Sequence, residues 1–175
     1  MSQLKVNSIV PVGGLPSGAT GGGIIQVVQV TKTDMFSTTS DSYSDFMTAT
    51  ITPQSSSNKI LCMFSAFEGM SGGDGNTYSR YKLMRGSTHI YKGDAGSSAG
   101  SATMGRFGRQ SDFKADYIGC TFIDSPSTTS STTYKIQVAS PRAGTFKVFL
   151  GGSLRDTFSG ESRVPSSFIL MEVSV

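Results

Sequence analysis

One histidine, His89, two cysteines, Cys62 and Cys120, and twelve carboxylates are the groups from which this chain could build chemistry. His89 lies in Thr88 to Lys92 (THIYK). A Ser-His-Asp triad would use such a histidine as its base, but no G-x-S-x-G turn or comparable nucleophile context accompanies it. It reads as a structural or surface histidine. Zinc needs a set of soft or borderline ligands, and Cys62, His89 and Cys120 lie at no recognised spacing and lack a fourth. Asp112 and Asp116 share one strand face by spacing, as a glycosidase pair would, yet nothing else frames a sugar cleft. They read as solvated strand-edge charges. Gly21 to Gly23 precedes a strand, so it offers no helix N-terminus to a phosphate. In Gly69 to Gly75 (GMSGGDG), Asp74 is a single acid, too few for a calcium site. No catalytic site, metal site or cofactor is expected, and the chain is read as non-enzymatic.

The uneven feature is charge. Between Ser79 and Ser111 stand Arg80, Lys82, Arg85, Lys92, Arg106 and Arg109 against one acid, Asp94, in a chain whose net charge is only +3. Two readings are open: a surface for an anionic partner such as an acidic glycan or neighbouring subunit, or a solvated sheet face. Arg106, Phe107 and Arg109 form an aromatic flanked by two arginines, and with Arg80 and Lys82 they make the candidate distal contact surface. Trp is absent, which removes the strongest sugar-stacking side chain. The small net charge does not argue for nucleic acid.

Ser and Thr number 47, charged residues make up 15% and apolar residues 37%, yet 11 Phe and 6 Tyr are too many for a typical disordered chain. A β-rich domain with a polar, weakly charged exterior follows. No run approaches about 18 apolar residues, so no membrane insertion is expected, and no secretory signal is read at the N-terminus. Cys62 and Cys120 sit inside apolar strand-like runs. They read as buried free thiols, with a cross-strand disulfide as the alternative.

No window carries a 3.6-residue apolar stripe free of Gly, Ser, Thr and β-branched residues. Strand patterns recur instead: Ile24 to Thr33, Phe46 to Thr52, Lys59 to Glu68, Tyr78 to Arg85, Thr88 to Lys92, Asp112 to Ile123, Thr132 to Ala139, Thr145 to Leu150 and Ser167 to Val173. Lys59 to Glu68 (KILCMFSAFE) is a continuous apolar run and predicts a central strand covered on both faces. Nine strands without crossover helices predict an all-β antiparallel sandwich or jelly roll. Strict alternation of strand direction would gather Asp34 to Asp45, Gly69 to Thr77, Gly93 to Ser111 and Ser140 to Gly144 at one end. Gln54 to Asn58, Gly86-Ser87, Asp124 to Ser131 and Gly151 to Ser166 would lie at the other, the neck end. A short strand at Phe36 to Thr39 would disturb this count.

Ahead of the first strand, Pro11 to Gly23 holds six Gly and two Pro, a composition that resists helix and central strand. Residues 1–23 are therefore an extended arm and hinge, and residues 24–175 the β domain. Leu4, Val6 and Ile9 make the arm either a docking peptide or a frayed terminus.

Particular stretches carry a resemblance. SQLKVNSI resembles the S-x-L-K-V-[ND]-[ST]-I opening of many virion proteins of marine bacteriophages, especially those of cyanobacteria. GGLPSGATGGGIIQVVQ, FSTTSDSYSD, ITPQSSSNKIL and the terminal SSFILMEV are also similar to that group; the middle, Gly69 to Ser111, is not. The group's small members look like trimeric jelly rolls similar to C1q and tumour-necrosis-factor heads, and the order of the last three strands here is similar to theirs. The resemblance implies a virion-located, non-enzymatic structural protein. It would be a short homotrimeric fibre or fibre tip, its arm (Leu4, Val6, Ile9) docked on capsid or tail proteins and its head facing the host surface or its glycans. The alternative is a capsid decoration or cement protein with a purely architectural role. The apolar excess in Phe146, Phe149, Phe168 and Leu170 is expected to pack along the threefold axis.

Overall fold

Runs of β-branched and aromatic residues closed by Gly, Pro, Asn and Ser turns set the elements. The computed structural model describes residues 23–71, 78–94, 104–108 (105–108 by backbone), 115–140, 142–152 and 163–175. Its strands are β1 (Ile24–Lys32), β2 (Phe36–Thr38), β3 (Ser44–Ile51), β4 (Lys59–Ser71), β5 (Tyr78–Arg85), β6 (Thr88–Tyr91), β7 (Gly105–Gly108), β8 (Asp116–Asp124), β9 (Thr132–Ala139), β10 (Lys147–Leu150) and β11 (Ser166–Val173). The nine expected strands are present, β5 and β9 with the expected ends and the others with shifted ones. β2 and β7 are additional: β2 is the short strand weighed at Phe36 to Thr39, and β7 falls inside Gly93 to Ser111, which reads from sequence as a single connection.

Every strand pair is antiparallel. One sheet runs β1–β11–β4–β10–β2 with β8 along the other edge of β4; the second runs β3–β9–β5–β6 with β7 also on β5. The two pack as a sandwich, and the chain passes back and forth between them in a jelly-roll-like manner. Their facing sides interleave Ile60, Cys62, Phe64, Ala66, Phe168 and Leu170 with Ala49, Ile51, Tyr81, Leu83, Tyr134, Ile136 and Val138. The period-two alternation in Tyr134, Ile136 and Val138 puts all three in this core, each fully buried.

β4 is the central strand of its sheet, as its apolar run predicts, but its two faces differ. From Ile60 to Ala66 the even-numbered residues are buried, whereas Leu61, Met63 and Ser65 are half-buried or exposed. The continuous run therefore does not mark burial on both sides.

Two strands of this sheet are each broken once. β11 covers Lys59 to Ser65 of β4, and β10 covers Glu68 to Ser71 along the same edge and in the same direction. β1 pairs with β11 and β2 with β10, so these too form one interrupted strand. Both interruptions meet at Gly151. Its φ is +84°, and a Cβ there would lie 3.2 Å from the Val164 carbonyl and 3.5 Å from that of Asp34, so glycine fits where a side chain would be strained. Because β10 and β11 run the same way, Gly151 to Ser166 joins them partway along the sheet and not at the neck end. The sequence-based alternation fails there. The other neck connections stand: Gln54 and Asn58 bond Glu172, Arg85 bonds the Ser125 carbonyl, and Ser174 N–H donates to Gly23 O. At the far end, Ser140 N–H donates to Ser40 O at 2.7 Å and Gly144 N–H to Thr39 O at 3.0 Å.

Candidate functional site

The outward face of the β1–β11–β4–β8 sheet is apolar near the neck. Register aligns Val27, Met171, Leu61 and Ile123 in one row across four strands. Val27 and Ile123 are each 56% exposed. The next row is Gln29, Ile169, Met63 and Thr121, and the one beyond it Thr31, Ser167, Ser65 and Gly119. Over these three rows apolar character gives way to hydroxyl character away from Gly23, where the arm joins, before Phe67 and Tyr117 place an aromatic pair in the next row. A contiguous outward-facing row of large aliphatics differs from the single exposed apolar residues that any surface carries.

The outward face of the other sheet is polar and basic. Lys135 Nζ lies 2.6 Å from Asp45 Oδ2, and Gln137 Nε2 donates to Asp45 Oδ1 at 2.7 Å. These bonds, the lysine's first, hold the Asp45 carboxyl below its usual range. Lys82 and Arg80 lie farther along β5. The Lys82 ammonium stands 3.9 Å from the Tyr43 ring centroid and the Arg80 guanidinium carbon 5.6 Å from it. Arg80 Nη2 donates to the carbonyls of Asp41, at 3.1 Å, and Ser140, at 3.4 Å. Among the described residues neither Arg80 nor Lys82 makes an ion pair.

Between the sheets lie three buried carboxylates. Ser79 and Tyr81 donate to Glu68. Desolvation pushes the Glu68 pKa up to about 7 against those bonds. Arg85 and Tyr134 hold Asp124 at 2.8 and 2.7 Å. At the neck end, Glu172 accepts the Gln54 backbone N–H at 2.7 Å and Asn58 Nδ2 at 2.6 Å, tying the β3–β4 turn to the last strand. Each carboxylate is satisfied by core or backbone donors, so all three are structural fixtures.

The groups that open the chemical reading stand apart. His89 Nε2 is 3.0 Å from the Tyr91 carbonyl oxygen. Partial burial, then the neighbouring Lys82 charge, lower its pKa. Cys62 and Cys120 are free thiols. Burial raises both, Cys120 to about 11, which makes them poor nucleophiles. Asp116 sits on β8 in register with Glu68, while Asp112 and Asp74 lie outside the described residues. Among the described residues no three His, Cys, Asp or Glu side chains cluster as a metal site.

The expected threefold-axis set needs correction. Phe168 and Leu170 are fully buried in the core of the single chain, Phe149 is 2% exposed and Phe146 6%. None presents a surface to another copy. The residues that alternate with Phe168 and Leu170 on β11, Ile169 and Met171, face outward. Of the candidate distal surface, Arg80 and Lys82 are adjacent on one face. Arg106 is in register with Arg80 and Phe107 with Ser79, and Arg109 lies outside the described residues. So do the arm residues Leu4, Val6 and Ile9. Sequence reasoning missed Val27, Leu61, Ile123 and Tyr43. The signal for the first three was present, since β1, β4 and β8 carry apolar residues at positions of both parities, more than one buried face uses.

No protein-family model matches this chain, and a search of curated proteins gave no significant match.

Proposed function

We propose that this chain is a non-enzymatic virion structural protein: a short trimeric fibre or fibre tip anchored by its N-terminal arm and projecting the β-sandwich as its head. The observation that supports it is the aliphatic row Val27–Met171–Leu61–Ile123 on an outward sheet face. That row carries no charge, and burying apolar area of this kind drives association between copies. Facing copies across it gathers their arms at one end, because the row lies on the Gly23 side. Three weak docking peptides held together bind far more tightly than one. The opposite end and the basic face of the second sheet then point away from the particle. The resemblance of SQLKVNSI and SSFILMEV to marine phage virion proteins supplies the threefold count and the location.

Sedimentation equilibrium at micromolar concentration tests the assembly. The full chain is expected at three times its monomer mass, and Val27→Glu/Ile123→Glu at monomer mass with unchanged circular dichroism. A wild-type chain that sediments as a monomer overturns the reading. Deleting residues 1–10 is expected to leave the trimer intact but remove the protein from particles. Normal incorporation of the truncated chain would exclude arm docking. Exchange of residues 93–111 for a related sequence separates host contact from a cement role: altered adsorption supports the fibre, unaltered adsorption the architectural alternative.

A further inference from the structure

We propose that Tyr43, Arg80 and Lys82 form a binding site for an oxyanion, a sulfate or phosphate group, on the outward face of the β3–β9–β5 sheet. This site lies on the sheet opposite the self-association face and does not depend on the assembly reading. Alternation along β5 places Arg80 and Lys82 on one face, and Tyr43, just before β3, brings its ring within 3.9 Å of the ammonium and 5.6 Å of the guanidinium carbon. Two like charges are therefore gathered around one aromatic ring. Asp45, on β3 two strands across from β5, is engaged by Lys135 and Gln137 of the intervening β9.

The guanidinium is oriented by main-chain carbonyls. The bonds from Arg80 Nη2 to Asp41 O and Ser140 O fix its plane and leave its positive charge uncompensated. Among the described residues two further donors are unused: Arg80 Nε and the Tyr43 hydroxyl are both buried without a hydrogen-bond partner. Buried donors are rarely left in this condition. A group bearing several acceptor oxygens and negative charge satisfies these donors and relieves the repulsion between the cations. The side chains offer donors almost exclusively, which selects for an acceptor-only anion over a neutral sugar hydroxyl.

The test is calorimetric titration of the full chain at constant ionic strength with sodium sulfate, sodium phosphate, dextran sulfate and unmodified dextran. Saturable binding of a charged probe is expected, with none of dextran. Affinity for inorganic anion equal, per sulfate, to that for dextran sulfate assigns the site to a free ion; tighter binding of the polymer assigns it to an anionic glycan. Arg80→Gln and Lys82→Gln are each expected to weaken binding at least tenfold, and Tyr43→Phe severalfold while keeping the ring. Lys135→Gln removes the same charge from the same face, but its lysine is already paired, and it is expected to change affinity less than twofold. Equal loss in Lys135→Gln and Lys82→Gln would show a diffuse field and overturn the site, as would failure of every charged probe to bind the wild type. Circular dichroism of each variant separates loss of binding from loss of fold.

Discussion

Ser79 Oγ lies 2.8 and 2.7 Å from the two carboxylate oxygens of Glu68, joining β5 of one sheet to β4 of the other inside the sandwich. Glu68 is fully buried, and in register with it across the β4–β8 ladder stands a second acid, Asp116. Desolvation outweighs the bonds from Tyr81 and Ser79 and raises the Glu68 pKa from 4.5 to about 7. A carboxyl with a raised folded pKa keeps its proton longer when folded, so unfolding between those two values releases a proton. Stability therefore falls as pH rises from about 4.5 to about 7, by on the order of 3 kcal/mol, and levels off above. Urea midpoints at pH 5 and pH 8 are expected to differ in wild type and to converge in Glu68→Gln. Equal pH slopes in the two proteins would refute this.

Asp124 is the second inter-sheet fixture. Arg85 Nη1 lies 2.9 and 2.8 Å from its two oxygens, and its side chain is 8% exposed against 30% for the arginine. Among the described residues, removing the arginine leaves the buried carboxylate with the Tyr134 hydroxyl as its side-chain donor. Arg85→Met is expected to destabilise the fold by about 3 kcal/mol, and Tyr134→Phe by about 1 kcal/mol. Replacing Asp124 by Asn in the Arg85→Met background is expected to recover part of the loss, measured as urea midpoints.

Neighbours on β11 are expected to behave oppositely. Phe168 is fully buried and Ile169 faces outward, so Phe168→Ala is expected to cost about 3–5 kcal/mol of chain stability through the cavity it leaves. Ile169→Ser is expected to lower association while shifting the unfolding of the dissociated chain by less than about 0.5 kcal/mol. Unfolding read alongside sedimentation distinguishes the two roles, and a reversal would return Phe168 to the axis.

Gly119 is set by close approach. A Cβ there would lie 2.6 Å from the Phe64 carbonyl oxygen and 2.5 Å from the Tyr117 hydroxyl. The tyrosine can swing aside but the strand carbonyl cannot. Gly119→Ala is expected to destabilise the sandwich by about 1–3 kcal/mol, and adding Tyr117→Ala is expected to restore little of it. A neutral Gly119→Ala in thermal melts would contradict the packing.

The sequence by itself determined nine of the eleven described strands. Period-two alternation and Gly/Ser/Asn turns place β5 and β9 with the right bounds, because a half-buried strand writes its two environments into alternate residues. It also exposed the basic run around Arg80 and Lys82, since charge is visible without coordinates. Which residues are core was decided only by tertiary structure. Phe168 and Ile169 are both apolar neighbours, and no local signal says which faces the second sheet. In β1, β4 and β8, where both faces carry aliphatics, register had to reveal that Val27, Leu61 and Ile123 form one outward row. The broken strands at Gly151 were hidden for a related reason. A strand that stops and resumes in the same direction looks, in sequence, like two strands joined by an ordinary turn. Partners such as Tyr43 with Lys82 are thirty-nine positions apart in the chain, and only the packing of β3 beside β9 and β9 beside β5 brings them together.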